Sequence, residues 1–120
     1  MKILVIDDEQ EILTAIEKIL KKEGFEVDKA SSITEAKSKI NTSQFDLVIS
    51  DIMLPHWGGF DLVDAIKENP EKQKTPVIII TGMDTNILES THTFADIFIP
   101  KPFSRQQLLD AVFSLTKTGK

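Results

Sequence analysis

The stretch that decides the fold is residues 3–9, ILVIDDE, in which four aliphatic residues run directly into three acidic ones. Further unbroken apolar runs occur at residues 47–49, 77–80 and 97–99. Continuous apolar character is typical of strands that are covered on both faces, as in a parallel sheet. Residues 25–30 alternate instead, which predicts an edge strand with one face nearer to water.

The segments between these runs have the spacing of amphipathic helices. Residues 12–20 and 60–66 each carry an apolar stripe, and residues 32–35 and 104–107 match the capping box that begins many helices. The helical signal in residues 85–94 is weak, because threonine is a poor helix former and the apolar face is thin. Alternation of strand and helix predicts a doubly wound α/β domain, with a five-stranded parallel sheet and helices on both faces.

Composition limits the class of protein. The 120 residues include 14 Lys and Arg against 19 Asp and Glu, so the net charge is −5, and we expect neither nucleic acid nor a membrane as a direct partner. The absence of cysteine excludes disulfides, thiolate catalysis and cysteine-bound metals. No aliphatic run approaches the roughly 20 residues that span a bilayer, and the N-terminus does not resemble a signal peptide. We therefore expect a cytoplasmic protein, with one domain over residues 1–120 and no output domain.

Polar residues follow the predicted strands at the point where each strand ends. Asp7 and Asp8 follow the first strand, Asp51 the third, Thr81 the fourth and Lys101 the fifth. Because parallel strands open their carboxyl ends on one edge of a sheet, these side chains should converge there. Neighbouring carboxylates repel each other, and Mg²⁺, which prefers oxygen ligands and phosphate, relieves that repulsion. A carboxylate beside the cation can act as a nucleophile toward phosphorus and form an aspartyl phosphate.

The sequence resembles the receiver domains of two-component response regulators, whose flavodoxin-like sheet has the strand order 2-1-3-4-5. The matching motifs are residues 3–9 (ILVIDDE), residues 51–55 (DIMLP) with Gly59, residues 77–82 (VIIITG) and residues 101–103 (KPF). Each motif is weak alone, but the four together, in order and each at a strand end, are specific. The resemblance extends over residues 2–115.

The resemblance implies a magnesium-dependent phosphoacceptor site. Asp51 would be the residue that is phosphorylated. Asp7 and Asp8 would hold Mg²⁺ together with Asp51 and the main-chain carbonyl of Met53, and Mn²⁺ could take its place. The phosphoryl group would come from a phosphohistidine on a sensor histidine kinase or a histidine phosphotransfer protein. Such a domain is a signalling switch rather than a metabolic enzyme.

The resemblance also implies how the phosphoryl group is held and sensed. Thr81 would contact it, Lys101 would pair with it, and Phe98 would change rotamer as Thr81 moves. Met53 and Met83 stand at positions that influence phosphate loss, and we expect a long-lived phosphoaspartate because neither can orient a water by hydrogen bonding. The phosphorylated domain would act on a downstream protein or a missing output domain, as a monomer or a weak phosphorylation-dependent dimer.

Other interpretations of the same residues stay open. Asp7 and Asp8 could cap the first helix without binding a metal, and Phe98 could be an ordinary core residue. The domain could act as a phosphate-independent receiver that binds other proteins. An aspartyl-phosphate hydrolase is disfavoured because Met53 stands where its second aspartate would be. An FMN-binding module is disfavoured because residues 7–9 place three negative charges where a phosphate loop is needed.

Overall fold

The computed structural model describes residues 1–7, 9–51, 75–81, 96–100 and 102–116. In chain order their elements are β1 (Lys2–Ile6), α1 (Gln10–Lys22), β2 (Glu26–Ala30), α2 (Ile33–Thr42), β3 (Leu47–Asp51), β4 (Val77–Thr81), β5 (Ile97–Pro100) and α3 (Arg105–Thr116). The helical segments predicted within residues 60–66 and 85–94 lie outside the described residues. None of the three described helices combines the length and the apolar character needed to cross a membrane.

All five strands belong to one parallel sheet, in the order β2-β1-β3-β4-β5. This order confirms the predicted topology and puts β2 at one edge, as its alternating sequence indicates. The chain adds strands first to one side of β1 and then to the other. The sheet therefore changes its winding direction between β1 and β3, the place where doubly wound folds bind ligands.

The inward-facing strand residues divide between two cores, one on each face of the sheet. On the face covered by α1 and α3 they are Ile3, Val5, Leu47, Ile49, Ile78, Ile80 and Ile99. On the face covered by α2 they are Leu4, Ile6, Ala30, Val48, Val77 and Ile79. Because both faces are covered, the interior strands need apolar residues at successive positions, which explains the unbroken runs in the sequence.

The two predicted capping boxes differ in how completely they form. At the start of α3 the box is reciprocal: the Gln107 N–H donates to Ser104 Oγ (3.0 Å), and the Ser104 N–H donates to Gln107 Oε1 (2.8 Å). At the start of α2 the Glu35 N–H donates to Ser32 Oγ (3.2 Å), but the Glu35 carboxylate accepts the N–H of Ser31 (2.7 Å) instead of that of Ser32. The glutamate side chain reaches one residue further back, so only half of this box forms.

A Schellman turn joins α1 to β2. Gly24 has a φ of +92°, which glycine adopts at little cost. The Phe25 N–H donates to the Leu20 carbonyl (3.2 Å) and the Gly24 N–H to the Lys21 carbonyl (3.0 Å), the two bonds of this motif. Phe25 is buried and lies 6.1 Å from the ring of Phe113 in α3. The turn thus fixes the direction in which the chain enters the edge strand.

Polar residues of β2 pair with the helix on each face of the sheet. Lys39 of α2 donates to Asp28 Oδ1 and to the Lys29 carbonyl, both at 2.6 Å. Lys29 itself pairs with Glu17 of α1 at 3.1 Å. Burial alone would raise the pKa of Asp28, but the hydrogen bonds from Lys39 and from the Lys29 N–H outweigh it and leave that pKa below its usual value. The edge strand is therefore attached to both helices by charged contacts.

Candidate functional site

Asp7 and Asp51, two acidic residues of the predicted site, lie at the carboxyl ends of two adjacent strands and at the same height in the sheet. Ile6 of β1 is in register with Ser50 of β3, so the next residues are Asp7 and Asp51. Neighbouring strands lie about 4.8 Å apart. Two acidic residues from distant parts of the sequence thus stand side by side at the carboxyl edge of the sheet, where the winding direction changes.

Strand β4, on the other side of β3, brings one more site position to the same edge. Asp51 is in register with Ile80, so Thr81 stands one residue beyond it on β4. Thr81 is in register with Pro100, the last residue of β5. Lys101 follows Pro100 directly in the sequence. The order of the strands therefore carries the strand positions of Asp51 and Thr81 to one edge, while Lys101 lies outside the described residues.

Asp7 is the site residue whose surroundings are best defined. It is only 1% exposed. Its N–H donates to the Ala30 carbonyl (3.1 Å), and its Oδ1 accepts the N–H of Glu9 (2.9 Å). The capping residue of α1 is Glu9, whose side chain makes no capping hydrogen bond. Asp7 is therefore not itself the capping residue of α1, and its carboxylate accepts the amide of that residue, while Asp8 lies outside the described residues.

Ser50 is a feature of the site edge that sequence reasoning missed. It is fully buried, between Ile6 and Ile79 in the sheet register, and its hydroxyl has no hydrogen-bond partner among the described residues. Leaving a buried hydroxyl unpaired costs about 1–3 kcal/mol. The sequence does indicate this feature, because Ser50 is a polar residue that follows the aliphatic run of residues 47–49 and directly precedes Asp51.

Phe98 is half-buried on β5. It is in register with Ile79 and packs against the core on the α2 face. The Phe98 side chain is therefore in contact with the core on one side and partly exposed to solvent on the other. Its rearrangement on activation stays a prediction.

Several predicted site residues lie outside the described part of the chain or are described only as strand positions. The first group is Asp8, Met53, Met83 and Lys101, and the second is Asp51 and Thr81. Asp7 is the one predicted metal ligand with a described side chain. Within the described ranges, no group of three or more histidine, cysteine, aspartate or glutamate residues forms a metal-binding cluster.

Comparison with known proteins gives one consistent family. The sequence profile of the response regulator receiver domain matches residues 3–113. Regulatory protein VanR of Enterococcus faecium is 39% identical over 113 residues, which cover 92% of this chain and 48% of that protein. The phosphate regulon regulatory protein PhoB of Rhizobium meliloti is 32% identical over 121 residues, which cover 99% of this chain and 53% of that protein. The chain spans about half the length of these curated relatives.

Solved structures agree with the sequence matches. Chemotaxis response regulator CheY4 of Vibrio cholerae has a TM-score of 0.88 at 28% identity, over 95% of this chain and 97% of that one. Response regulator TrrA of Thermotoga maritima, solved in complex with Mg²⁺-BeF, has a TM-score of 0.85 at 31% identity, with the same coverage. Together with the strand order and the profile match, these likenesses show that the chain belongs to the response regulator receiver domain family of two-component signalling.

Proposed function

We propose that this chain is a phosphoacceptor, a single receiver domain over residues 1–120 that is phosphorylated on Asp51. Its donor is a phosphohistidine on a sensor histidine kinase or a histidine phosphotransfer protein. The observation that supports this most strongly is the register that sets Asp7 and Asp51 side by side at the switch point of the sheet. An acidic pair at this position suits cation-assisted phosphoryl transfer.

The donor set fits Mg²⁺. Asp7 presents a buried carboxylate that is oriented by a main-chain amide, and Asp51 stands at the same level on the next strand. Asp8 and the main-chain carbonyl of Met53 complete the ligand set, all of it oxygen, which Mg²⁺ prefers and Mn²⁺ also accepts. The Thermotoga maritima relative, with its Mg²⁺-BeF, supports this assignment. The bound cation would neutralise the acidic cluster and the phosphoryl oxygens.

Asp51 acts as the nucleophile in the transfer. One carboxylate oxygen forms the new O–P bond while the N–P bond of the phosphohistidine breaks, and the bonding electron pair stays with the imidazole nitrogen. Lys101 supplies a positive charge to the phosphoryl oxygens, and Thr81 donates a hydrogen bond to them. The chain assists its own phosphorylation but turns over no metabolite, so it is a switch rather than a metabolic enzyme.

Relay of the signal follows from the positions of Thr81 and Phe98 on neighbouring strands. As Thr81 moves toward the phosphoryl group, the half-buried Phe98 ring follows it inward, and the balance between two conformations shifts. The phosphorylated state then engages a downstream protein or an output domain, as a monomer or a weak dimer. Met53 and Met83 leave no side chain to orient an attacking water, which makes the phosphoaspartate long-lived.

Intact mass spectrometry tests the proposal. The wild type, Asp51→Asn and Asp110→Asn are incubated with a small-molecule phosphodonor such as phosphoramidate, with Mg²⁺ or with EDTA. Asp110 is an exposed aspartate on α3, so its variant is the matched control. We expect one phosphoryl group on the wild type and on Asp110→Asn with Mg²⁺ only, and none on Asp51→Asn. Equal labelling of Asp51→Asn would contradict the proposal.

A further inference from the structure

Glu9 takes part in the site through its main chain. Its N–H donates to Asp7 Oδ1 at 2.9 Å, while its carbonyl accepts the N–H groups of Ile12 and Leu13, both at 3.1 Å. Its side chain is exposed and makes no capping hydrogen bond. The main chain of one residue thus links the first turn of α1 to the carboxylate at the end of β1.

The position of the Asp7 carboxylate explains why a fixed orientation matters for binding a cation. It is buried, and it stands beside the acidic position Asp51. A hydrogen bond from a main-chain N–H to an ionised carboxylate is short and strong, and it offsets part of the negative charge. It also selects one of about three χ1 rotamers of the aspartate, so the side chain need not be ordered when a cation binds.

We propose that the N–H of Glu9 is a positioning group that holds the Asp7 carboxylate in its cation-binding orientation before any cation arrives. This inference rests on the proposed function, because Asp7 is a metal ligand only within it. The side-chain carboxylate of Glu9 has a lesser part. It is exposed to solvent, where salt at about 0.15 M screens its charge, so its removal changes the affinity for a divalent cation by a small factor.

The test compares Glu9→Pro, which removes the N–H, with Glu9→Ala, which keeps it and removes the charge. Position 9 is extended, with a φ of −94° and a ψ of 113°, and it precedes the first helical residue, so proline there removes no hydrogen bond within α1. Mg²⁺ is titrated into each protein, and its dissociation constant is measured from amide resonances by NMR. At about 0.15 M salt, which screens the exposed Glu9 charge, we expect binding to Glu9→Pro to be about three- to ten-fold weaker and binding to Glu9→Ala to stay within about two-fold of the wild type.

The dissociation constant and the melting temperature together separate a positioning role of the Glu9 N–H from a merely structural one. A structural role alone would lower the melting temperature in EDTA and leave the dissociation constant of the folded protein unchanged. Equal affinities for Glu9→Pro and Glu9→Ala would overturn the inference and leave the proposed function intact. A wild type that binds no Mg²⁺ would overturn both.

If Glu9→Pro does not fold, hydrogen exchange of the Glu9 amide in the metal-free protein tests the inference instead. A hydrogen-bonded Glu9 amide exchanges slowly with solvent, and we expect its exchange to become at least ten-fold faster in Asp7→Ala but not in Asp110→Ala. A Glu9 amide that exchanges equally fast in all three proteins would overturn the inference.

Discussion

Strands β2 and β3 accommodate polar residues in opposite ways. On β2, at the edge of the sheet, Asp28 and Lys29 reach charged partners on α2 and α1. On β3, in the interior, Ser50 directly precedes Asp51, and its hydroxyl has no partner in the part of the chain that the structure describes. The edge strand gains stability from its polar residues, while the interior strand loses some beside the candidate site. Proteins commonly accept such local costs where function requires a particular arrangement.

The largest change in the free energy of unfolding should come from removing the buried hydroxyl of Ser50. Ser50→Ala takes away a buried polar atom and leaves a side chain of nearly the same size, so we expect the free energy of unfolding to rise by about 1 kcal/mol. Urea unfolding in EDTA measures the change. Ser38→Ala, at an exposed position of α2, is the control and should stay within about 0.5 kcal/mol. A clearly less stable Ser50→Ala would mean that the hydroxyl contributes a favourable contact.

A smaller effect should follow from breaking the pair on β2. Lys39→Met removes the donor to Asp28 and to the Lys29 carbonyl, and we expect a loss of about 0.5–1 kcal/mol at pH 7, since the pair is partly exposed. Lys37→Met is the control, because Lys37 is exposed and makes no ion pair within the described residues.

The loss in Lys39→Met should also depend on pH. The pKa of Asp28 in the folded state lies below its ordinary value of 3.8, so the pair stabilises the fold above that pH. Its contribution disappears as the pH falls below 3.8 through the folded-state pKa. Urea unfolding of Lys39→Met and the wild type from pH 7 downward should therefore give converging curves. A difference that stays constant below pH 3.8 would show that the effect comes from the hydrogen bond to the Lys29 carbonyl or from packing of the lysine stem, not from the pair with Asp28.

The sequence was most informative where burial alone decides the structure. The runs at residues 3–6 and 77–80 predict interior strands because both faces of the sheet need apolar residues. The Ser104 cap is equally local, and it forms as predicted. The convergence of Asp7 and Asp51 on one edge follows from the strand order, which is itself confirmed.

The remaining features depend on contacts that no local pattern specifies. The Glu35 carboxylate can reach either Ser31 or Ser32, and a small difference in side-chain geometry selects the former. The bond between Asp7 and the Glu9 amide depends on where β1 ends and α1 begins, a boundary that periodicity locates poorly. The isolation of the Ser50 hydroxyl depends on its neighbours across two strands.

Mapping of the phosphorylated residue is the most direct test of Asp51 as the magnesium-dependent phosphoacceptor. The chain carries 19 acidic side chains, several of them close to one edge of the sheet. Borohydride reduces an acyl phosphate to an alcohol, so a phosphorylated aspartate becomes homoserine and can be located by fragmentation of the digested protein. We expect homoserine at position 51 alone, formed only when Mg²⁺ was present during phosphorylation. Homoserine at position 7 or 8, or a gain of phosphoryl mass with no change at position 51, would contradict it.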